Sequence, residues 1–220
     1  MSQTVAEYLA ETKASGAVSE EVFRAYANSD VSSYSSWAIW GKTTSDLTVF
    51  DVENEPWERL RSDVFIMGGN TGKLDKGKLT RFQNFHAEGH SPDGRLRTAV
   101  TGTLLEGAFL SDVVKDYPTA DSGPLLKAIG AGDVDITKHV VGPLQEELRL
   151  LNSPEKLVLV LLGGTTVDVW DAVSPHLPAD VTQRLTVLKG MRHHSANGTP
   201  RTSLETLLAA PVDDHRHVTV

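Results

Sequence analysis

The chain predicts a three-layer α/β/α fold, in the α/β class, with a mainly parallel central sheet of about four strands. Three observations carry that prediction. Apolar runs at residues 63–68, 107–115, 156–163 and 184–189 read as strands, and the near-continuous aliphatic character of 156–163 suits burial on both faces. Segments of helical periodicity separate these runs, which is the alternation that crossover helices between parallel strands require. Finally, 220 residues with no Pro- or Ser-rich linker suit one core.

Taken in order, residues 3–14 and 19–28 read as two short amphipathic helices, the second opened by Ser19-Glu20-Glu21. A polar turn then leads to the aromatic segment 36–41, a further candidate strand, and 56–60 reads as a helical turn. Residues 70–94 form a long irregular stretch, and such a length inside a compact domain points to function or mobility. Helices are expected at 94–101, 122–130, 136–152, 165–173 and 201–209, with a break or a fresh start at Pro143. The organisation expected is one domain over 1–220. Residues 1–60 form a helical cap and lead-in, 61–209 the α/β core, and 210–220 a disordered tail.

Composition narrows the function. The formal charge of -8 counts against tight non-specific nucleic-acid binding, which rests on many Lys and Arg contacts to phosphate. With no cysteine, disulfides, thiolate nucleophiles and cysteine-held metal centres are excluded. The first residues lack a basic start followed by an apolar stretch, and no apolar run approaches the roughly 20 residues a membrane span needs. The expectation is a soluble cytoplasmic protein without a cofactor, metal or membrane partner; its oligomeric state is left open.

The chemistry-bearing residues cluster where two strands end. Residues 63–67 run into Gly68-Gly69-Asn70-Thr71-Gly72, and 185–188 run through Lys189 into His193-His194-Ser195. In open α/β sheets, ligands bind in the crevice outside the carboxyl ends of the strands. The glycine turn has two readings: a tight turn exploiting glycine's freedom, or a surface that lets a ligand approach while Asn70 presents its amide. It is not a phosphate loop, because Met67 and Leu74 stand where Gly and Ser/Thr are needed. Phe82 and Phe85 read as core or as rings for stacking on a planar ligand. Lys73, Lys76, Lys78 and Arg81 read as a solvated loop or as phosphate contacts. By strand alternation, one of Ser111 and Asp112 faces the cleft, unless Asp112 pairs with Lys115 or Arg95. His86 and His90, four apart, are the weak alternative of a metal site.

In this order, the pieces resemble the uracil-DNA glycosylase superfamily, over roughly residues 60 to 200. Gly68-Gly69-Asn70-Thr71-Gly72 is similar to the Gly-Ile-Asn-Pro-Gly motif of its mismatch-specific branch, and His193-His194-Ser195 to its second motif, His/Asn-Pro-Ser. The segment from Arg95 to Lys115 is similar to an uncharacterised, divergent branch. The resemblance implies an N-glycosidic hydrolase on a parallel α/β/α sheet. Asn70 would place a water and His193 would hydrogen-bond the departing base. Phe82 or Phe85 would stack on that base, and Ser111 or Asp112 would read its edge. Gly68, Gly69, Thr71, Gly72, His194 and Ser195 would line the substrate. The implied ligand is a nucleobase or nucleotide, free or in a weakly held single strand. The competing class is a non-catalytic nucleobase-binding or protein-interaction module on the same fold. Asn70 stands where a water-activating Asp would be, Thr71 and His194 replace both prolines, and Ala196-Asn197-Gly198 replaces the apolar wedge. Efficient repair of duplex DNA is therefore not expected.

Overall fold

Thr4 starts the first helix of the computed structural model, which describes residues 2–70, 79–87, 92–117, 119, 122–195 and 200–215. Its hydroxyl accepts from the Glu7 N–H while the Glu7 carboxylate accepts from the Thr4 N–H, a capping box that begins α1 (Val5–Thr12). Ser19 caps α2 (Glu20–Ala27) through Val22 N–H. There follow β1 (Ser36–Trp37), β2 (Val64–Asn70), α3 (Asp93–Val100), β3 (Phe109–Val114) and α4 (Ser122–Ala131). A π turn over Thr137–Val141 then passes into α5 (Gly142–Leu150), with Pro143 in its first turn, where a missing N–H costs nothing. The chain continues through β4 (Leu157–Leu161), α6 (Gly164–Val173), the short α7 (Ala179–Thr182), β5 (Leu185–Leu188) and α8 (Pro200–Ala209).

The five strands form one sheet in the order β1-β3-β2-β4-β5. Four are parallel, and β1 is an antiparallel edge of two residues, Ser36 opposite Leu110 and Trp37 opposite Phe109. All five residues of β4 are buried, as a strand covered on both faces requires. On one face, Phe65, Met67, Phe109 and Leu159 pack with Phe23 and Tyr26 of α2, Leu144 and Leu148 of α5, and Val169 and Trp170 of α6. On the other, Ile66, Leu110, Val158 and Val160 pack with Val5 and Leu9 of α1, Leu96 of α3, and Leu204 and Leu207 of α8. The three layers follow.

From β2 the chain moves outward to β3, then crosses back to β4 on the other side of β2. The connections leaving β2 and β4 therefore diverge, and the carboxyl ends of these two strands form the topological switch point. At the opposite edge, a buried pair pins the start of β2. Arg61 donates to both oxygens of Asp63, at 2.9 and 2.6 Å, and to the carbonyls of Leu9 and Leu104.

The segment from Pro211, expected to fray, is instead tied down over its first residues. Val5 N–H donates to Ala210 O, Val212 N–H donates to Gln3 O, and Val212 is buried. Residues 216–220 lie outside the described residues. Among the described residues, no helix is long and apolar enough to cross a membrane.

Candidate functional site

Strand alternation places Asp112 and Gly68 on one face, directly opposite each other in the β2–β3 register. Gly68 has no side chain, and the space it leaves is occupied from two sides. A Cβ there would stand 2.4 Å from Asp112 Oδ1 and 3.3 Å from Phe85 Cζ. Asn84 fixes the carboxylate: its Nδ2 donates to Asp112 Oδ2 at 3.1 Å and to Tyr34 O at 2.7 Å. Burial, acting against the Asn84 bond and the Lys115 charge, pushes the Asp112 carboxyl up to about 6.

Ser111 takes the other face. Its hydroxyl donates to Glu147 Oε1 of α5 at 2.5 Å, and Lys115 Nζ lies 3.0 Å from Glu147 Oε2. Of these two β3 residues, Asp112 is thus the one opposite Gly68, and Gly68, Gly69 and Asn70 continue β2 as paired strand where the sequence suggested a turn. Lys115 pairs with Glu147 and not with Asp112.

Phe85 adjoins the second strand-end turn. Its ring lies 6.1 Å from that of His194, which stacks on His193 with centroids 4.3 Å apart. His194 is buried, with Nε2 3.4 Å from Asp93 Oδ1 at the start of α3. Asp93 Oδ2 in turn accepts from Ala87 N–H. The turn reaches the switch point through Gly163, whose N–H donates to Met191 O at 2.8 Å. Gly163 has φ +82, and a Cβ on it would come within 2.6 Å of His193 Cβ.

The protonation of His193 follows from its neighbours. Nδ1 lies 3.1 Å from the Ser195 N–H and 2.6 Å from Ser195 Oγ, so Nδ1 is an acceptor and the ring proton sits on Nε2. Burial first, and then the adjacent His194, push the imidazole down to about 4 against the attraction of Asp93. At neutral pH it is a neutral ring offering one N–H.

Asn70 closes β2 at this same carboxyl edge. Its Nδ2 donates to Tyr117 O, Thr119 O and Thr119 Oγ1 at 3.0–3.3 Å, so the amide N–H groups tie down the segment leaving β3 and are not directed at a ligand. Gly69 turns to the α6 side, near Thr166. Thr71, Gly72, Lys73, Lys76, Lys78 and His90 lie outside the described residues. Arg81 is exposed and reaches Asn28 Oδ1.

Phe82, the other ring considered for stacking, belongs to the core. It stacks on Phe50 at 4.5 Å and on Phe23 at 5.8 Å. Phe82 and Phe85 both have left-handed backbones, φ 62 and 63, and this double turn sends the two rings to different cores. His86 is buried with Nε2 against Ile39 O and Nδ1 against Asn84 O and Ser36 Oγ, and burial pushes it below the usual imidazole range. Among the described residues, no three His, Asp or Glu gather to hold a metal.

Asn84 and Asp93 belong to this arrangement with no sign of it in the sequence. Gly163 stands just past the aliphatic run of β4, and that position is its one sign in the sequence. An open cavity of about 340 Å³ among Gln145, Asn152, Ser153, Asp180 and Arg184 lies at the opposite, amino-terminal edge, away from these groups. No family model, curated protein or solved structure matches the chain.

Proposed function

We propose that the carboxyl edge of the sheet binds a nucleobase and cleaves its N-glycosidic bond, in single-stranded or small nucleic-acid substrates. The observation that carries this reading is His193. A neutral imidazole with its proton on Nε2 is a preorganised donor for the charge that builds on a base as the bond to the sugar breaks. Phe85 supplies a ring 6.1 Å from that of His194, which stacks on His193. The order of motifs along the chain supports the same reading. Its test is base release from single-stranded oligonucleotides carrying uracil or other modified bases, compared between the parent chain and His193→Gln. Release that falls a hundredfold or more in the variant, roughly what loss of one such donor does elsewhere, is the expected result.

A second reading is a module that binds a nucleobase or nucleotide and catalyses nothing. It is favoured by Asn70, whose amide N–H groups are engaged with Tyr117 and Thr119 and which cannot take a proton from water. Binding without release over the whole panel would select it.

A further inference from the structure

The cavity of about 340 Å³ at the amino-terminal edge of the sheet is built around two turns, one entering β4 and one entering β5. In the first, Asn152 ends α5 in the left-handed region, φ 46. Asn152 N–H donates to Arg149 O and Ser153 N–H to Leu148 O, a closed helix end that sets Ser153 in the wall. In the second, Arg184 sends Nη2 to the carbonyls of Ser153 and Pro154, at 2.7 and 2.8 Å, and so ties the turns together. Those two bonds use both hydrogens of Nη2. Nε of the same guanidinium is buried without an acceptor, and the Ser153 hydroxyl is buried without a partner. Among the described residues no carboxylate pairs with Arg184. Asp180 of α7 lines the same cavity, exposed, and no described cation pairs with it, Arg184 included. Arg149 differs, since it donates twice to Glu146 and its charge is already met. Leu148 and Val181 give the wall an apolar part.

We propose that this cavity binds a small zwitterion of the free α-amino-acid kind. Its carboxylate meets Arg184 and Ser153, its ammonium meets Asp180, and a short aliphatic side chain lies against Leu148 and Val181. A guanidinium and a carboxylate that line one cavity without pairing leave a gap for a molecule carrying both signs. A plain anion would satisfy Arg184 but bring like charge to Asp180, and a plain cation would do the reverse. Buried donors without acceptors cost stability, and a carboxylate brings the acceptors that Arg184 and Ser153 lack. The volume sets the size, since it stands near the lower end of the roughly 300–1,000 Å³ of small-molecule pockets. The proposal is independent of the nucleobase reading, whose groups stand at the other end of the strands.

The test is titration of the whole chain with L-valine, L-valinamide and N-acetyl-L-valine, followed by the backbone amide resonances of Ser153, Asp180 and Arg184 in NMR spectra. L-Valine is expected to bind at millimolar concentration and to shift these resonances. Valinamide, which lacks the carboxylate, should bind about tenfold or more weaker, the worth of a hydrogen bond between charged groups. N-Acetylvaline, which lacks the ammonium, should bind about threefold weaker, because an ion pair to an exposed carboxylate contributes less. In Asp180→Asn the same threefold loss, about the worth of that pair, should appear for L-valine and not for N-acetylvaline. Asp180 makes no side-chain bond among the described residues, so this variant keeps the fold. The absence of any shift with L-valine at millimolar concentration overturns the proposal. So do equal affinities for the three compounds, or an equal response of L-valine and N-acetylvaline to Asp180→Asn.

Discussion

Gly163 and His193 touch across the ends of two strands that are neighbours in the sheet, with no room for a methyl group between them. A Cβ on Gly163 would lie 2.6 Å from His193 Cβ and 3.1 Å from its backbone N, and φ is +82. Gly163→Ala therefore carries two penalties, a strained backbone and a displaced turn. The expected loss is about 1–3 kcal/mol in urea denaturation. The His193 and His194 imidazole resonances should also shift in NMR spectra. Unchanged resonances with full stability would show that the turn is not seated on Gly163.

The pH dependence of stability has a sign set by Asp112. Its folded-state carboxyl, pushed up to about 6 from an ordinary 3.8 chiefly by burial, holds its proton more tightly than in the unfolded chain. Its stabilising contribution is full below the ordinary value and is lost as pH rises through about 6. Asp112→Asn removes this dependence, so its stability relative to the parent should be higher at pH 7.5 than at pH 4 by on the order of 2–3 kcal/mol. His193 works in the opposite sense. Pushed down to about 4, it withdraws stability as pH falls from its ordinary 6.5 through that value. Urea midpoints of both proteins across this range measure the two slopes, and parallel curves would contradict the assignment to Asp112.

Phe82 and Phe85 should separate under mutation. Phe82→Leu loosens the cluster with Phe23, Phe50 and Trp37 and should cost roughly 1–3 kcal/mol of stability, with nucleoside affinity unchanged. Phe85→Ala should weaken that affinity by about 1–3 kcal/mol, the usual worth of one ring stacked on one base. Denaturation and titration of the same two proteins give both numbers. Equal effects on affinity would remove Phe85 from the site.

The Arg61–Asp63 pair is a structural pin remote from the site. Both side chains are within a few per cent of full burial, and Asp63 packs so tightly on Gly16 that a Cβ there would meet its Oδ1 at 2.0 Å. Arg61→Met leaves Asp63 charged, buried and unpaired, and should cost about 3–5 kcal/mol. Ligand affinity of the folded fraction should not change. A loss below 1 kcal/mol would mean that water reaches the pair.

Single-stranded nucleic acid, on the proposed reading, is held weakly and through few phosphates. Lys73, Lys76, Lys78 and Arg81 are the basic residues nearest in sequence to the glycine turn. A labelled single strand titrated at several salt concentrations should give a log–log slope matching roughly three or four phosphates, flattened by Lys76→Ala with Lys78→Ala. No binding at low salt would remove nucleic acid from the possible partners.

The layers were legible because burial writes itself into runs. The aliphatic run at 156–163 carries the signature of a strand covered on both sides, and the structure has β4 at Leu157–Leu161. The two-residue β1 is only a candidate in the sequence, since so short an edge has too few positions to show a period. Strand alternation said that Ser111 and Asp112 part company, but which faces the site depends on the register with β2, set by residues some forty positions away. Phe82 and Phe85 could not be told apart, because an irregular segment with two left-handed residues has no period to read. Asp93 and Asn84 give no sign in the sequence for a related reason: their partners, His194 and Asp112, come from other strands and turns.

Ser111 and Asp112, consecutive on β3, put a buried carboxylate on each side of a sheet one backbone thick, Asp112 itself and the Glu147 that Ser111 binds. Such a partition insulates poorly. The negative charge of Glu147 strengthens the hold of Asp112 on its proton and the positive charge of Lys115 weakens it, across the sheet. The two helical layers therefore share one electric field. Replacing Glu147 of α5 would thus shift the proton affinity of Asp112 on the opposite face of the sheet, without touching it.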